Sequence, residues 1–148
     1  MSPSLQRRAA SQLAGLWAGL LLGIGAIGAP AGFAVTTAQI AGRTAGRMFA
    51  VEAYASLAVA MLLLLLTRNA LAVESGRPAT PALNTNVLLV LGTLFCTIAG
   101  YFVIQPMMAA ARIGDGSLSF GALHGLSAGF FVLKGLLVLA LAWRLTVR

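Results

Sequence analysis

Charge is scarce in this chain. Of its 148 residues only ten are Lys or Arg and three are Asp or Glu. A soluble domain of this size could not cover so large an apolar surplus with so few polar groups. There is one cysteine, Cys96, which excludes an intrachain disulfide and a CxxC redox or metal site. There is one histidine, His124, and neither a HExxH motif, a phosphate loop nor a Ser-His-Asp set with a usable carboxylate is present. These absences point away from an enzyme. The net charge of +7 would suggest nucleic acid in a soluble protein. Here the arginines gather at the ends of apolar segments with no aromatic residues among them to stack bases, so no nucleic-acid partner is expected.

What is present is apolar length. Segments at about 11–36, 48–67, 85–109 and 120–143 are each long enough to cross a hydrocarbon core, which takes about 20 apolar residues. The expected fold is all-α, an integral membrane four-helix bundle forming a single domain over 1–148. Arg7-Arg8 before the first run resembles a signal peptide. That run, at about 25 residues, outlasts a signal core of about 7–15, so a retained first helix is expected. Pro30 is expected to kink that helix near its end. Gln39 to Arg47 reads as a polar connector, and Arg47 and Arg68 bound the second helix. Gly76, Pro78 and Pro81 punctuate the loop before the third. Ser117 or Ser119 is expected to cap the fourth. Gly23-Ile24-Gly25-Ala26-Ile27-Gly28 fits GxGxxG formally, but it follows no strand and carries no nucleotide reading.

Four spans return the chain to its starting side. Arg7, Arg8, Arg68, Arg77, Arg144 and Arg148 fall on that side, and Arg43, Arg47 and Arg112 on the other. The positive-inside bias therefore predicts cytoplasmic termini in a bacterial inner membrane, with Trp17 and Trp143 as interfacial belt residues. Glycine recurs at every fourth position in the first helix (Gly15, Gly19, Gly23) and the fourth (Gly121, Gly125, Gly129). This small-xxx-small spacing predicts close helix packing in the bundle, or a homo-oligomer through one of those faces.

Three ionisable side chains sit within the apolar runs: Glu52, His124 and Lys134. Such groups are costly in lipid and are functional candidates by default. Counted from Arg47 and from Ser119, Glu52 and His124 lie at one shallow depth, about 7–8 Å in from the side away from the termini. Gln105, Met107 and Met108 close the third helix there, and Pro30 and Phe33 the first, with Tyr101 one turn deeper. The four helices can thus share one periplasm-facing site. His with Met suits Cu(I), a single His can be an axial haem ligand with Met as the second, and Glu52 with His124 can relay a proton or lock the bundle. Lys134 lies about 15 Å deeper than His124. The same count puts it out of reach of Glu52, level with Thr93, Cys96 and Thr97. It is expected to snorkel, to face a water-filled cleft, or to be buried against a neutral partner.

Ala29-Pro30 with Phe33, Ala41-Gly42-Arg43 with Gly46-Arg47 and Phe49, Gln105-Pro106, and Leu123-His124-Gly125-Leu126-Ser127 together resemble the transmembrane protein 205-like family. The resemblance runs from about Leu16 to Leu145. It implies a four-helix inner-membrane domain, for which the family assigns no activity. The eukaryotic relative is associated with platinum-drug resistance, and the family is distantly similar to copper-resistance membrane proteins, both compatible with soft-metal handling. Lys134 and Met108 match none of the family's motifs.

Three readings follow. The first is a multi-pass membrane protein that handles a soft metal ion, copper above all, or a small solute at a site of Glu52, Gln105, Met107, Met108 and His124. The second is a haem-binding redox protein with His124 axial. The third is a ligand-free structural or interaction subunit, partnered by the bilayer and by a second copy or another membrane protein.

Overall fold

The computed structural model describes residues 3–75 and 84–147. These residues are all helical apart from short turns, and four helical stretches are long and apolar enough to cross a membrane: Ser4–Val35, Ala38–Thr67, Thr85–Arg112 and Phe120–Val147. The first span is α1 (Pro3–Leu22), a π-helical segment (Gly23–Gly28) and α2 (Ala29–Val35). The second is the single long helix α3 (Ala38–Ser75). The third is α4 (Thr85–Thr97), a second π-helical segment (Ile98–Val103) and α5 (Ile104–Arg112), and the fourth is α6 (Phe120–Val147). The loop glycine and prolines Gly76, Pro78 and Pro81, with Arg77 and Arg148, lie outside the described residues, as do the side chains from Arg68 to Ser75.

The helix ends follow local chemistry. Asn84 caps α4, its side chain accepting from the Val87 N–H at 2.8 Å. Ser119 caps α6, as expected, accepting from Ala122 N–H at 3.2 Å. α5 ends in a Schellman turn, in which Asp115 N–H bonds the Ala110 carbonyl and Gly114 N–H that of Ala111. Gly114 makes this turn at φ +80°, a left-handed conformation that glycine adopts without steric cost.

The two π-helical segments have a common cause. A proline inside a helix lacks the N–H that would bond four residues back and crowds the carbonyl there. For Pro30 and Pro106 those carbonyls belong to Ala26 and Phe102, each within a π-helical segment. The wider turn accommodates the misfit. The formal GxGxxG run coincides with the first of these segments.

In the half of the bundle nearer the Pro3 and Val147 helix ends, the helices form a closed ring. α1 packs on α3 and α6, and α4 packs on the same two, so α3 and α6 face each other across the diagonal. The core there joins Ala14, Trp17 and Leu21 to Leu63, Val90, Val138 and Leu141. Beyond the π-helical segments the ring opens, with α2 packing against α3 and α5 against α6. The two arms enclose a cleft of about 960 Å³ lined by all four spans.

The glycines that bring helices close are not those of the fourfold spacing. A Cβ on Gly25 would lie 2.6 Å from the Phe131 ring, on Gly28 2.6 Å from the Met48 methyl, and on Gly100 2.6 Å from Phe130 Cβ. Gly15, Gly19, Gly23, Gly121, Gly125 and Gly129 have nothing within 4 Å of a Cβ. The expected packing role inside the bundle thus passes from these six to Gly25, Gly28 and Gly100. The π-helical turns bring these three against neighbouring side chains. Trp17 likewise departs from expectation. It is 2 % exposed in the core rather than at an interface, whereas Trp143 is 72 % exposed.

A buried ion pair beneath a four-helix cleft

Glu52 and Lys134 meet at the centre of the bundle. Lys134 Nζ lies 2.8 Å from both Glu52 carboxylate oxygens, and the two residues are 3 % and 2 % exposed. The expectation that they lie too far apart is corrected. It took Arg47 as the start of the second span, but α3 begins at Ala38, and Arg47 is an exposed side chain within it. Glu52 is about fourteen residues, hence about 21 Å, along α3. Lys134 is about fourteen residues along α6. The two helices run in the same direction across the diagonal, so their charges come level.

The pair is extended on one side. Ser56, one turn beyond Glu52, donates to Glu52 Oε1, and Trp17 Nε1–H donates to Ser56 Oγ at 3.0 Å. Three spans are thereby joined through one buried network. On the other side, Lys134 Nζ lies 5.2 Å from the centre of the Phe131 ring, and Phe131 meets Phe49 edge-on at 5.1 Å. Thr93 and Thr97, expected level with Lys134, instead donate to carbonyls of their own helix, at 2.7 and 2.8 Å. Trp17→Phe should remove the bond to Ser56 while leaving Ser56 bonded to Glu52. Loss of one such bond with its partner still satisfied is expected to cost about 1 kcal/mol in unfolding experiments. A cost near zero would show that the bond to Ser56 adds nothing to stability.

The remaining predicted residues distribute around the cleft above this floor. Gln105 and Tyr101 line it half-buried, and His124 lines it from α6 with an exposed side chain. The His124 ring stacks on Phe120 at 14° between planes and 5.8 Å between centres. The Arg112 guanidinium lies 4.6 Å from the centre of the same Phe120 ring. Met108 is buried with Ile104 and Leu123 in the α5–α6 contact, whereas Met107 is exposed and does not line the cleft. Of the resemblance motifs, Pro30, Phe33, Gly42 and Phe49 line the cleft. Ser127 donates to the Gly100 carbonyl at 2.7 Å, tying α6 to the second π-helical segment, and Arg43, like Arg47, is exposed. Glu52 and His124 therefore occupy the floor and the wall of one cleft at different depths. Among the described residues no three of His, Cys, Asp and Glu form a group that could hold a metal ion.

Ser56, Trp17, Phe131 and Arg112 were not among the candidates. Ser56 was within reach of sequence reasoning, because Glu52 and Ser56 are one turn apart on one helix face. The Trp17 contact crosses between helices and leaves no local signal.

Fold and site together define a multi-pass membrane protein: a four-span helical bundle, closed at one end around a buried ion pair and open at the other as a cleft. The chain belongs to the family described as Domain of unknown function DUF4149, which matches residues 12–115. The match runs from within the first span to the turn after the third, so His124, Ser127 and Lys134 lie beyond it. No curated protein matches the chain, and no solved structure does.

Proposed function

We propose that this protein binds a small amphipathic molecule within the membrane, in the cleft between the two arms of its bundle. One observation carries the reading. A cleft of about 960 Å³ is walled mainly by apolar side chains, with a few polar groups among them: Tyr101, Gln105, His124 and Ser127 on its walls, Arg112 at its mouth and the ion pair at its floor. Small-molecule sites have this character, at about 300–1,000 Å³ with a few placed polar groups. The small-solute form of the expected function is favoured over the metal form. Both Glu52 oxygens face Lys134, Met107 is off the cleft, and Met108, though it touches the cleft, is buried against Ile104 and Leu123. The haem reading, with His124 as one ligand and Met as the second, finds Met107 off the cleft and Met108 packed against Ile104 and Leu123. The transmembrane protein 205-like resemblance supports a membrane domain and adds no activity.

The cleft lies at the end away from the Pro3 and Val147 helix ends. With the positive-inside bias, this reading places it on the periplasmic side of a bacterial inner membrane. The experiment is retention of small molecules by the purified protein. Ala128 lines the cleft from an exposed position on α6, so Ala128→Trp should fill the space without disturbing the core. Native mass spectrometry is expected to find a co-purified species on the wild type that this variant has lost. The same set of species on both proteins would refute the reading.

A further inference from the structure

We infer that the cleft takes a long-chain amphiphile with one anionic head, carboxylate or phosphate, the head at Arg112 and the chain within the cleft. This rests on the binding reading above and names its ligand class. The charge at the mouth comes first. Arg112 lines the cleft at the end of α5, its guanidinium held over the Phe120 ring. His124 stacks on the same Phe120 ring as a further hydrogen-bonding group, and Gln105 lines the cleft about two turns along α5 from Arg112. Exposed Arg43 and Arg47 follow the lining residues Gly42 and Gly46 on α3, at this end of the bundle, without lining the cleft themselves. The carboxylate near this end is Asp115, in the turn that caps α5. Three guanidinium groups against one carboxylate favour an anion, and a guanidinium binds carboxylate or phosphate through paired bonds.

The body of the ligand is set by the walls. Below the mouth, where Phe33 stands, the cleft is lined by Phe49, Phe131 and Leu21, and it continues past Lys134 along α6 to Leu136 and Leu139. A free inorganic anion would gain nothing from these walls, whereas a chain packs against them by van der Waals contact, the force that holds apolar groups together within lipid. A route for the chain lies along the edge of α6. Gly121 and Gly125 are exposed there, with nothing within 4 Å of a Cβ, next to the lining residues His124 and Ala128. α2 packs on α3 in this half, so that edge of α6 opens to the lipid side. At the foot of the cleft Lys134 is already neutralised by Glu52, so the head is drawn to the unpaired charge at the mouth.

The test uses the full chain in phosphatidylcholine nanodiscs with two photoreactive probes of equal length, a diazirine palmitic acid and the corresponding palmityl alcohol. Labelled residues are mapped by mass spectrometry over a concentration series. The acid is expected to label cleft-lining residues such as Phe33 and Phe131. Arg112→Gln should raise its half-saturating concentration about tenfold, equivalent to about 1.4 kcal/mol, and leave the alcohol unchanged. Arg112→Lys should recover part of the loss. Equal labelling by acid and alcohol, unmoved by Arg112→Gln, would overturn the anionic head and leave the binding reading standing. Labelling absent from the cleft, or present and unaffected by Ala128→Trp, would overturn both.

Discussion

Lys134→Met alone is expected to destabilise the bundle by about 3–5 kcal/mol, the cost of leaving one partner of a buried ion pair uncompensated. The Glu52 carboxylate would then sit 2 % exposed with Ser56 as its remaining partner, far from the mouth of the cleft. Glu52→Leu alone should cost a similar amount by stranding the ammonium group. The double variant Glu52→Leu with Lys134→Met is expected to recover most of the loss. Replacing both members of such a pair by packed apolar groups is often neutral or stabilising. In that background Ser56 can turn its hydroxyl to a carbonyl of its own helix, as Thr93 and Thr97 do. The measurement is reversible unfolding in mixed micelles of the two single variants and the double variant, read as a mutant cycle. Additive losses in the double variant would show that the two charges are solvated separately. A strong coupling would show that the pair is a fixed crosslink between diagonal helices.

The spans were legible in the sequence because lipid demands apolar length, and apolar length can be counted. Their ends were less legible. Arg47 looked like a boundary, yet a long side chain on a helix surface can carry its charge toward the interface from inside a span. Ten further residues of α3 precede the predicted start at 48. That offset alone turned Glu52 from a floor residue into an apparent rim residue and hid its partner. Glu52, Gln105, Tyr101, His124, Pro30 and Phe33, drawn from all four spans, line one cleft, though at different depths rather than the one shallow level expected. The site's chemistry was not legible. It depends on which side chains face each other across the bundle, and Trp17 with Ser56, thirty-nine residues apart, left no periodic trace. The prolines are plain in the sequence, and the widened turn before each follows from their missing N–H, but what that turn packs against is set by the bundle. The widened turn brings Gly25 and Gly100 against α6 at places no fourfold glycine spacing marks.

Gly100→Ala is the other substitution with a large expected effect. The added methyl group would lie 2.6 Å from Phe130 Cβ and 3.3 Å from its Cγ. An atom so close to the backbone cannot swing aside, so α6 itself must move. Overpacking of this kind costs about 1–3 kcal/mol. The move would also strain the Ser127 bond to the Gly100 carbonyl, and interhelical bonds in lipid average about 0.6 kcal/mol. Gly25→Ala meets the tip of the Phe131 ring instead, also at 2.6 Å, and a ring tip can rotate. Its cost should be smaller, but it would disturb the edge-on contact with Phe49 at the foot of the cleft. Gly125→Ala meets nothing within 4 Å and is expected to lie within about 0.5 kcal/mol of the wild type. Unfolding of the three variants under one condition ranks them. The order Gly100, Gly25, Gly125 would mean that the π-helical turns, set by Pro30 and Pro106, are where the bundle is drawn together. The reverse order would mean that the glycine ridge on α6 is already covered in the membrane, since only a packed neighbour could make a methyl group there costly.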